Sequence, residues 1–133
     1  MCRYCGAIDE GKRMPRVLII DDSPTEIFKI SEILSKNGYE VLTAESGELG
    51  LDIAKQEMPD VVLMDIVMPG LNGFQATRQL SRDPDTSGIP VIIVTTKDQE
   101  TDRLWGQRQG AKGYLTKPID SKGLLKAIDA VLN

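Results

Sequence analysis

The sequence predicts a three-layer α/β domain in which five parallel strands form one sheet, covered on both faces by helices. Short apolar runs alternate along the chain with longer amphipathic segments, an order typical of repeated βα units. Three of the runs are apolar at every position, as expected for central strands buried on both faces. A length of 133 residues accommodates one domain of this kind.

The five strands are predicted from these runs and from the polar residues that end them. In chain order they span 17–20, 39–43, 61–64, 91–94 and 113–116. The second and fifth runs are more polar than the other three. We therefore expect these two strands at the edges of the sheet.

Five helices are predicted between and after the strands. Ser23-Pro24-Thr25-Glu26 matches a capping box with proline at the first helical position, and Asn37-Gly38 ends that helix. The remaining helices are expected at 47–56, 72–81, 98–109 and 120–132. The last of them carries one apolar face, formed by Leu124, Leu125, Ile128, Val131 and Leu132.

Composition and charge argue against several classes of function. Lys and Arg number 16 against 20 Asp and Glu, a formal net charge of −4, so nucleic acid is not expected as a partner. No apolar stretch approaches the roughly 18 residues needed to cross a bilayer, so we expect a cytoplasmic protein without membrane insertion. The chain has no histidine, which excludes phosphohistidine chemistry within it.

Residues 1–13 are predicted to be a flexible leader, and residues 14–133 the folded domain. The leader contains Cys2 and Cys5, a C-x-x-C pair. Two cysteines are too few for a tetrahedral zinc site, and a redox pair would be expected between a strand and a helix. A metal or redox role for this pair is the less favoured interpretation.

Acidic residues follow two of the central strands. Asp21 and Asp22 come directly after the first strand, and Asp65 follows the third. A single acid at a strand end is commonly a helix cap or a loop residue. Here the carboxyl ends of neighbouring strands would bring three carboxylates together, which is tolerable only if a cation lies among them. An all-oxygen ligand set favours Mg²⁺.

The fourth and fifth strands add Thr95 and Lys117 at the same edge. A hydroxyl and an ammonium group beside a metal suggest a site for a tetrahedral anion. Three carboxylates and one lysine sum to −2, which a divalent cation would neutralise. One carboxylate could then attack a phosphoryl group, and Asp65 is the preferred nucleophile because it stands alone at a central strand end.

The segment 16–132 resembles the receiver domain of response regulators, of the CheY type. The resemblance rests on four motifs in the family's order and spacing: Asp21-Asp22, Met64-Asp65-Ile-Val-Met-Pro69-Gly70, Val94-Thr95-Thr96 and Thr116-Lys117-Pro118. It implies a doubly wound, flavodoxin-like fold with strand order 2-1-3-4-5.

The resemblance also implies a metal site. Asp65 would be the phosphoacceptor. Asp22, Asp65 and the backbone carbonyl of Val67 would bind Mg²⁺ directly, and Asp21 would bind it through water.

A switch is implied as well. Thr95 would move to the phosphoryl group, Lys117 would pair with that group, and Tyr114 would be an aromatic rotamer switch. The Lys117–Pro118 peptide bond would be cis.

The family implies a stand-alone response regulator of a two-component or chemosensory phosphorelay, phosphorylated by a separate sensor histidine kinase. An effector would bind the face made by the fourth helix, fifth strand and fifth helix, and the protein would be a monomer or weak dimer. Trp105, in the predicted fourth helix, would either pack internally or anchor a partner. Segments 65–80 and 95–103 resemble regulators of type IV pilus twitching motility, which implies a CheA-like kinase.

Other functions remain open. The protein could instead drain phosphate from a sister regulator. A Mg²⁺-dependent aspartyl-phosphate phosphohydrolase, a true enzyme, normally has a second Asp two residues after the nucleophile, where this chain has Val67. A flavodoxin-like cofactor binder would need a phosphate-cradling loop after the first strand, where this chain is acidic. We therefore expect a signalling switch rather than an enzyme.

Overall fold

The computed structural model describes residues 14–132, so the predicted leader and its two cysteines lie outside the described residues. Strands and helices alternate throughout. In chain order they are β1 (Arg16–Ile20), α1 (Pro24–Lys36), β2 (Glu40–Ala44), α2 (Gly47–Glu57), β3 (Val61–Met64), α3 (Gly73–Arg82), β4 (Val91–Thr95), α4 (Glu100–Arg108), β5 (Gly113–Thr116) and α5 (Ser121–Leu132). Every predicted element is present, with ends that differ by at most two residues.

The five strands form one parallel sheet in the order β2-β1-β3-β4-β5. This confirms the order implied by the resemblance and the placement of the two more polar strands at the edges. Ile20 lies opposite Met64 in the register of β1 and β3. The residues that follow these two strands therefore emerge side by side at one edge of the sheet.

The core lies on both faces of the sheet, as the continuous apolar runs of β1, β3 and β4 predict. On one face, alternate strand residues pack against α1 and α5, through Ile30, Leu34, Leu124 and Ile128. On the other face they pack against α2 and α3, through Ala54, Ala76 and Leu80. The three-layer architecture is therefore confirmed. Among the helices of residues 14–132, none has both the length and the hydropathy needed to span a membrane.

The start of α1 differs from its sequence prediction in one detail. The Ser23 hydroxyl accepts the Glu26 N–H, as a capping box requires. The reciprocal bond is replaced, because the Ser23 N–H donates to Asp21 Oδ1 at 2.9 Å. The Glu26 carboxylate is thereby released from the cap. A complete capping box occurs instead at α3, between Asn72 and Gln75.

The first residue of α3, Gly73, lies directly against the end of β3. Its N–H donates to the carbonyl of Ile66 at 3.0 Å. A Cβ added at Gly73 would overlap the carbonyl oxygen of Asp65 and lie 2.7 Å from the Cα of Ile66. The absence of a side chain at Gly73 thus allows α3 to support the backbone beneath Asp65.

We expect Gly73→Ala to lower the free energy of unfolding by about 1–3 kcal/mol, because the new methyl group meets backbone that cannot rotate away. Gly88→Ala is the matched control, since nothing lies within 4 Å of a Cβ at that position. Urea denaturation measures both variants. Equal stability of the two variants would contradict the proposed close contact.

Candidate metal and anion site

The sheet brings the predicted site residues to one edge. Asp21 follows β1, Asp65 follows β3, Thr95 ends β4 and Lys117 follows β5. Hydrogen bonds fix the backbone at these strand ends: the Asp65 N–H donates to the Ile20 carbonyl at 2.9 Å, and the Lys117 N–H to the Thr95 carbonyl at 2.7 Å. The Lys117–Pro118 peptide bond is cis, as the resemblance implies.

Three carboxylates meet at this edge. One oxygen from each of Asp21, Asp22 and Asp65 lies within 4.8 Å of the others. Asp21 and Asp65 are buried, at 2% and 7% exposed, whereas Asp22 is open to solvent. An all-oxygen donor set with one open side suits a divalent cation that retains water, so these residues fit Mg²⁺.

In each buried carboxylate, one oxygen accepts a backbone N–H and the other faces the ammonium of Lys117. Asp21 Oδ1 accepts the Ser23 N–H, and Asp65 Oδ1 accepts the Ile66 N–H, both at 2.9 Å. The Oδ2 atoms of Asp21 and Asp65 lie 2.8 and 3.8 Å from Lys117 Nζ. The amides thus fix the direction of both carboxylates, and Asp65 Oδ2 lies beyond hydrogen-bond distance of Lys117 Nζ.

Glu26 is a further member of the site. Its Oε1 lies 4.0 Å from Lys117 Nζ. The sequence pattern assigned Glu26 to the helix cap and missed this contact. The available signal was its position on the first turn of a helix that begins at the carboxyl end of β1, where the other acids lie.

The charges of the site shift two pKa values. Burial raises the pKa of Asp65, and the charge of Asp21 raises it further, against the lowering effects of Lys117, Thr95 and the Ile66 amide. Burial alone would lower the pKa of Lys117. The hydrogen bond to Asp21 and the charges of Asp65, Asp21 and Glu26 nevertheless raise it above its ordinary value. Lys117 therefore remains a cation in this cluster.

Thr95 and Tyr114 are connected through the backbone of Lys97. The fully buried Thr95 accepts the Lys97 N–H on Oγ1 at 3.5 Å. The Tyr114 hydroxyl donates to the Lys97 carbonyl at 2.7 Å, and the Arg103 guanidinium lies 4.9 Å from the centre of the Tyr114 ring. Both predicted switch residues thus contact the same segment between β4 and α4.

Val67 and Trp105 are more exposed than a core position would be. The Val67 side chain is 56% exposed on the loop after β3, and the role of its carbonyl in metal binding stays a prediction. That loop is held by Glu48, whose carboxylate accepts the Leu71 N–H at 3.3 Å. Trp105 is 49% exposed on α4, which weakens the interpretation of an internal packing residue.

In the metal-free protein, we expect Asp65→Asn to raise the midpoint of thermal unfolding at pH 7. Folding raises the pKa of Asp65, so the charged form destabilises the folded state once the pH exceeds that pKa. Asparagine removes this destabilisation, and the difference from wild type should shrink as the pH falls. Differential scanning fluorimetry in EDTA measures the effect.

The same variant should gain less stability from added Mg²⁺ than wild type does, because it has lost one ligand. Glu32→Gln, at an exposed position of α1, is the charge-matched control. A lower midpoint for Asp65→Asn in EDTA would contradict the raised pKa of Asp65. A response to Mg²⁺ equal to that of wild type would contradict Asp65 as a metal ligand.

Comparisons with known proteins agree with the geometry. Protein PilH of Pseudomonas aeruginosa is 68% identical over 119 residues, which is 90% of this chain and 98% of PilH. Response regulator PleD of Caulobacter vibrioides is 41% identical over 105 residues, 79% of this chain and 23% of PleD.

Solved structures share the fold. The chemotaxis protein CheY4 of Vibrio cholerae has a TM-score of 0.86 and 32% identity, over 90% of this chain and all of CheY4. A response regulator receiver domain protein from Clostridium thermocellum has a TM-score of 0.83 and 34% identity, over 90% and 95% of the two chains. Residues 17–129 match the family described as the response regulator receiver domain. This chain therefore belongs to the response regulator receiver domain family.

Proposed function

We propose that this protein is a stand-alone response regulator that accepts a phosphoryl group on Asp65 with the help of Mg²⁺. The observation that carries the proposal is the placement of Asp65 Oδ2, which lies 3.8 Å from Lys117 Nζ and belongs to a cluster of three carboxylates. The protein would work as a binding switch, without turnover of an external substrate.

The described contacts support phosphoryl transfer to Asp65. Its Oδ2 would form the new bond to phosphorus while the bond between phosphorus and the donor breaks, and the leaving group would depart with that electron pair. Lys117 would pair with the phosphoryl oxygens and keep its proton. Asp21, Asp22 and Asp65 would hold Mg²⁺, whose charge stabilises those oxygens when it is bound.

The donor would be a phosphohistidine, as in the receiver domain family, and because this chain has no histidine it would belong to a separate kinase. The 68% identity to PilH, over 98% of that protein, supports a stand-alone regulator of type IV pilus twitching motility with a CheA-like kinase. Such a role would be carried out in the cytoplasm. A phosphate sink for a sister regulator would use the same chemistry at Asp65.

Incubation with a radiolabelled CheA-like kinase should label the wild-type protein in the presence of Mg²⁺ and not in EDTA. Asp65→Asn should remain unlabelled, because the amide is a far weaker nucleophile than the carboxylate. Glu32→Gln should be labelled at the wild-type rate. Labelling of Asp65→Asn at the wild-type level would refute the proposed phosphoacceptor.

The switch would act through the segment that Thr95 and Tyr114 share. A phosphoryl group on Asp65 would draw the Thr95 hydroxyl toward its oxygens and away from the Lys97 N–H. The Lys97 carbonyl accepts a hydrogen bond from the Tyr114 hydroxyl, so movement of this segment would change the hydrogen bond that orients Tyr114. The face of α4, β5 and α5 would then change its affinity for an effector.

Leu104 and Trp105 are half-exposed on α4, and this apolar surface suits contact with a protein effector.

Beryllofluoride, which mimics the phosphoryl group, should raise the affinity of wild-type protein for its effector. Thr95→Ala should lose most of this gain while still binding beryllofluoride, since it lacks the hydroxyl that couples the anion to Lys97. Thr95→Ser, which keeps the hydroxyl, is the matched control. Isothermal calorimetry with the effector measures all three proteins, and equal gains in wild type and Thr95→Ala would rule out this coupling.

A further inference from the structure

Glu26 lies on α1, a helix that contains none of the other site residues described above. Asp21 and Asp22 lie on the loop after β1, whereas Glu26 lies on the first turn of α1. Its N–H is bound by Ser23, but its carboxylate is free of the cap because Asp21 takes the Ser23 N–H. The Glu26 side chain is 27% exposed; its Oε1 lies 4.0 Å from Lys117 Nζ, and its Oε2 lies 3.9 Å from the exposed Lys29 Nζ on the same helix.

The ammonium of Lys117 lies among three carboxylates and is hydrogen-bonded to one of them. The Asp21 oxygen is at 2.8 Å, a strong charge-assisted hydrogen bond. The Asp65 oxygen at 3.8 Å and the Glu26 oxygen at 4.0 Å are both too far for a hydrogen bond and close enough for a direct charge interaction. Asp65 and Glu26 therefore attract the same ammonium from nearly equal distances.

Phosphoryl transfer changes what Lys117 must do. While Asp65 is unmodified, one hydrogen bond to Asp21 holds the ammonium. Once phosphorus bonds to Asp65 Oδ2, the new negative charge develops on the phosphoryl oxygens, and Lys117 would stabilise that charge by pairing with them. The carboxylate of Glu26 would compete with these oxygens for the same ammonium.

We propose that Glu26 is a positioning residue that restrains Lys117 and thereby slows phosphoryl transfer to Asp65. The inference rests on the proposed function of Asp65. Glu26 itself would exchange no proton and form no bond to phosphorus; it acts through the position of Lys117.

The test compares Glu26→Gln and Glu26→Asp with wild type. Glutamine keeps the length of the side chain and removes its charge. Aspartate keeps the charge at the start of α1 but is one methylene group shorter, which withdraws it from Lys117. Glu32→Gln, on the exposed side of α1, controls for the loss of one negative charge.

Phosphorylation is followed with Mg²⁺ and two small donors, the doubly charged acetyl phosphate and the singly charged phosphoramidate. We expect Glu26→Gln to be phosphorylated about two- to fivefold faster with both donors, the range that the energy of an exposed ion pair allows. Glu26→Asp should fall between Glu26→Gln and wild type, and Glu32→Gln should match wild type. An acceleration confined to acetyl phosphate would overturn the proposal, since it would mean that Glu26 merely repels the donor. An unchanged or lower rate would overturn it as well.

A second measurement needs no phosphoryl donor. The ¹⁵N chemical shift of Lys117 Nζ, recorded by NMR at fixed pH without Mg²⁺, should change in Glu26→Gln and not in Glu32→Gln. An unchanged shift in Glu26→Gln would refute the contact itself. Absence of phosphorylation in wild type, together with a changed shift, would refute the proposed function of Asp65 and leave the contact between Glu26 and Lys117 in place.

Discussion

Repulsion among carboxylates at one edge of the sheet is the constraint on which the site depends. Asp21, Asp22 and Asp65 present oxygens within 4.8 Å of one another, and two of the three are buried. Burial raises the pKa of Asp65, and the like charge of Asp21 raises it further. Lys117 offsets part of the repulsion through its 2.8 Å bond to Asp21. The remaining negative charge would favour binding of a divalent cation at this site.

The fold supplies the rigidity that keeps these charges together. Hydrogen bonds between neighbouring strands fix the backbone, and one oxygen of each buried carboxylate is held by an amide N–H. Gly73 brings the start of α3 against the carbonyl of Asp65, so the strand end is supported from below. The backbone and the two buried carboxylates of such a site would change little when charge develops on a bound anion, which is the condition for electrostatic stabilisation of a transferring group.

The periodicity of apolar residues predicted every strand and helix of the described chain, because the faces that an element buries determine the spacing of its apolar residues. It did not specify which strands are neighbours; polarity identified the edges, and the family resemblance supplied the order. The acids of the site were found because they follow strands directly. Glu26 was missed because its local sequence fits a capping box equally well. Two contacts place the Glu26 carboxylate in the site and not in the cap. Asp21 accepts the Ser23 N–H, and Lys117, which is 96 residues from Asp21 in sequence, lies beside these acids.

The charge balance of the site explains why Lys117 would matter to both a metal-bound and a phosphorylated form of the protein. Three aspartates and Glu26 carry four negative charges against the one positive charge of Lys117, and a divalent cation reduces the net charge from −3 to −1. Under the proposed function, phosphorylation of Asp65 would then add about one negative charge. Lys117 approaches three of these four acids from β5, and Thr95 lies on the neighbouring strand β4. Under the proposed function, the phosphoryl oxygens would compete with Glu26 for the ammonium of Lys117 and would draw the hydroxyl of Thr95 from the Lys97 amide. The added charge would therefore act both on α1 and on the segment before α4.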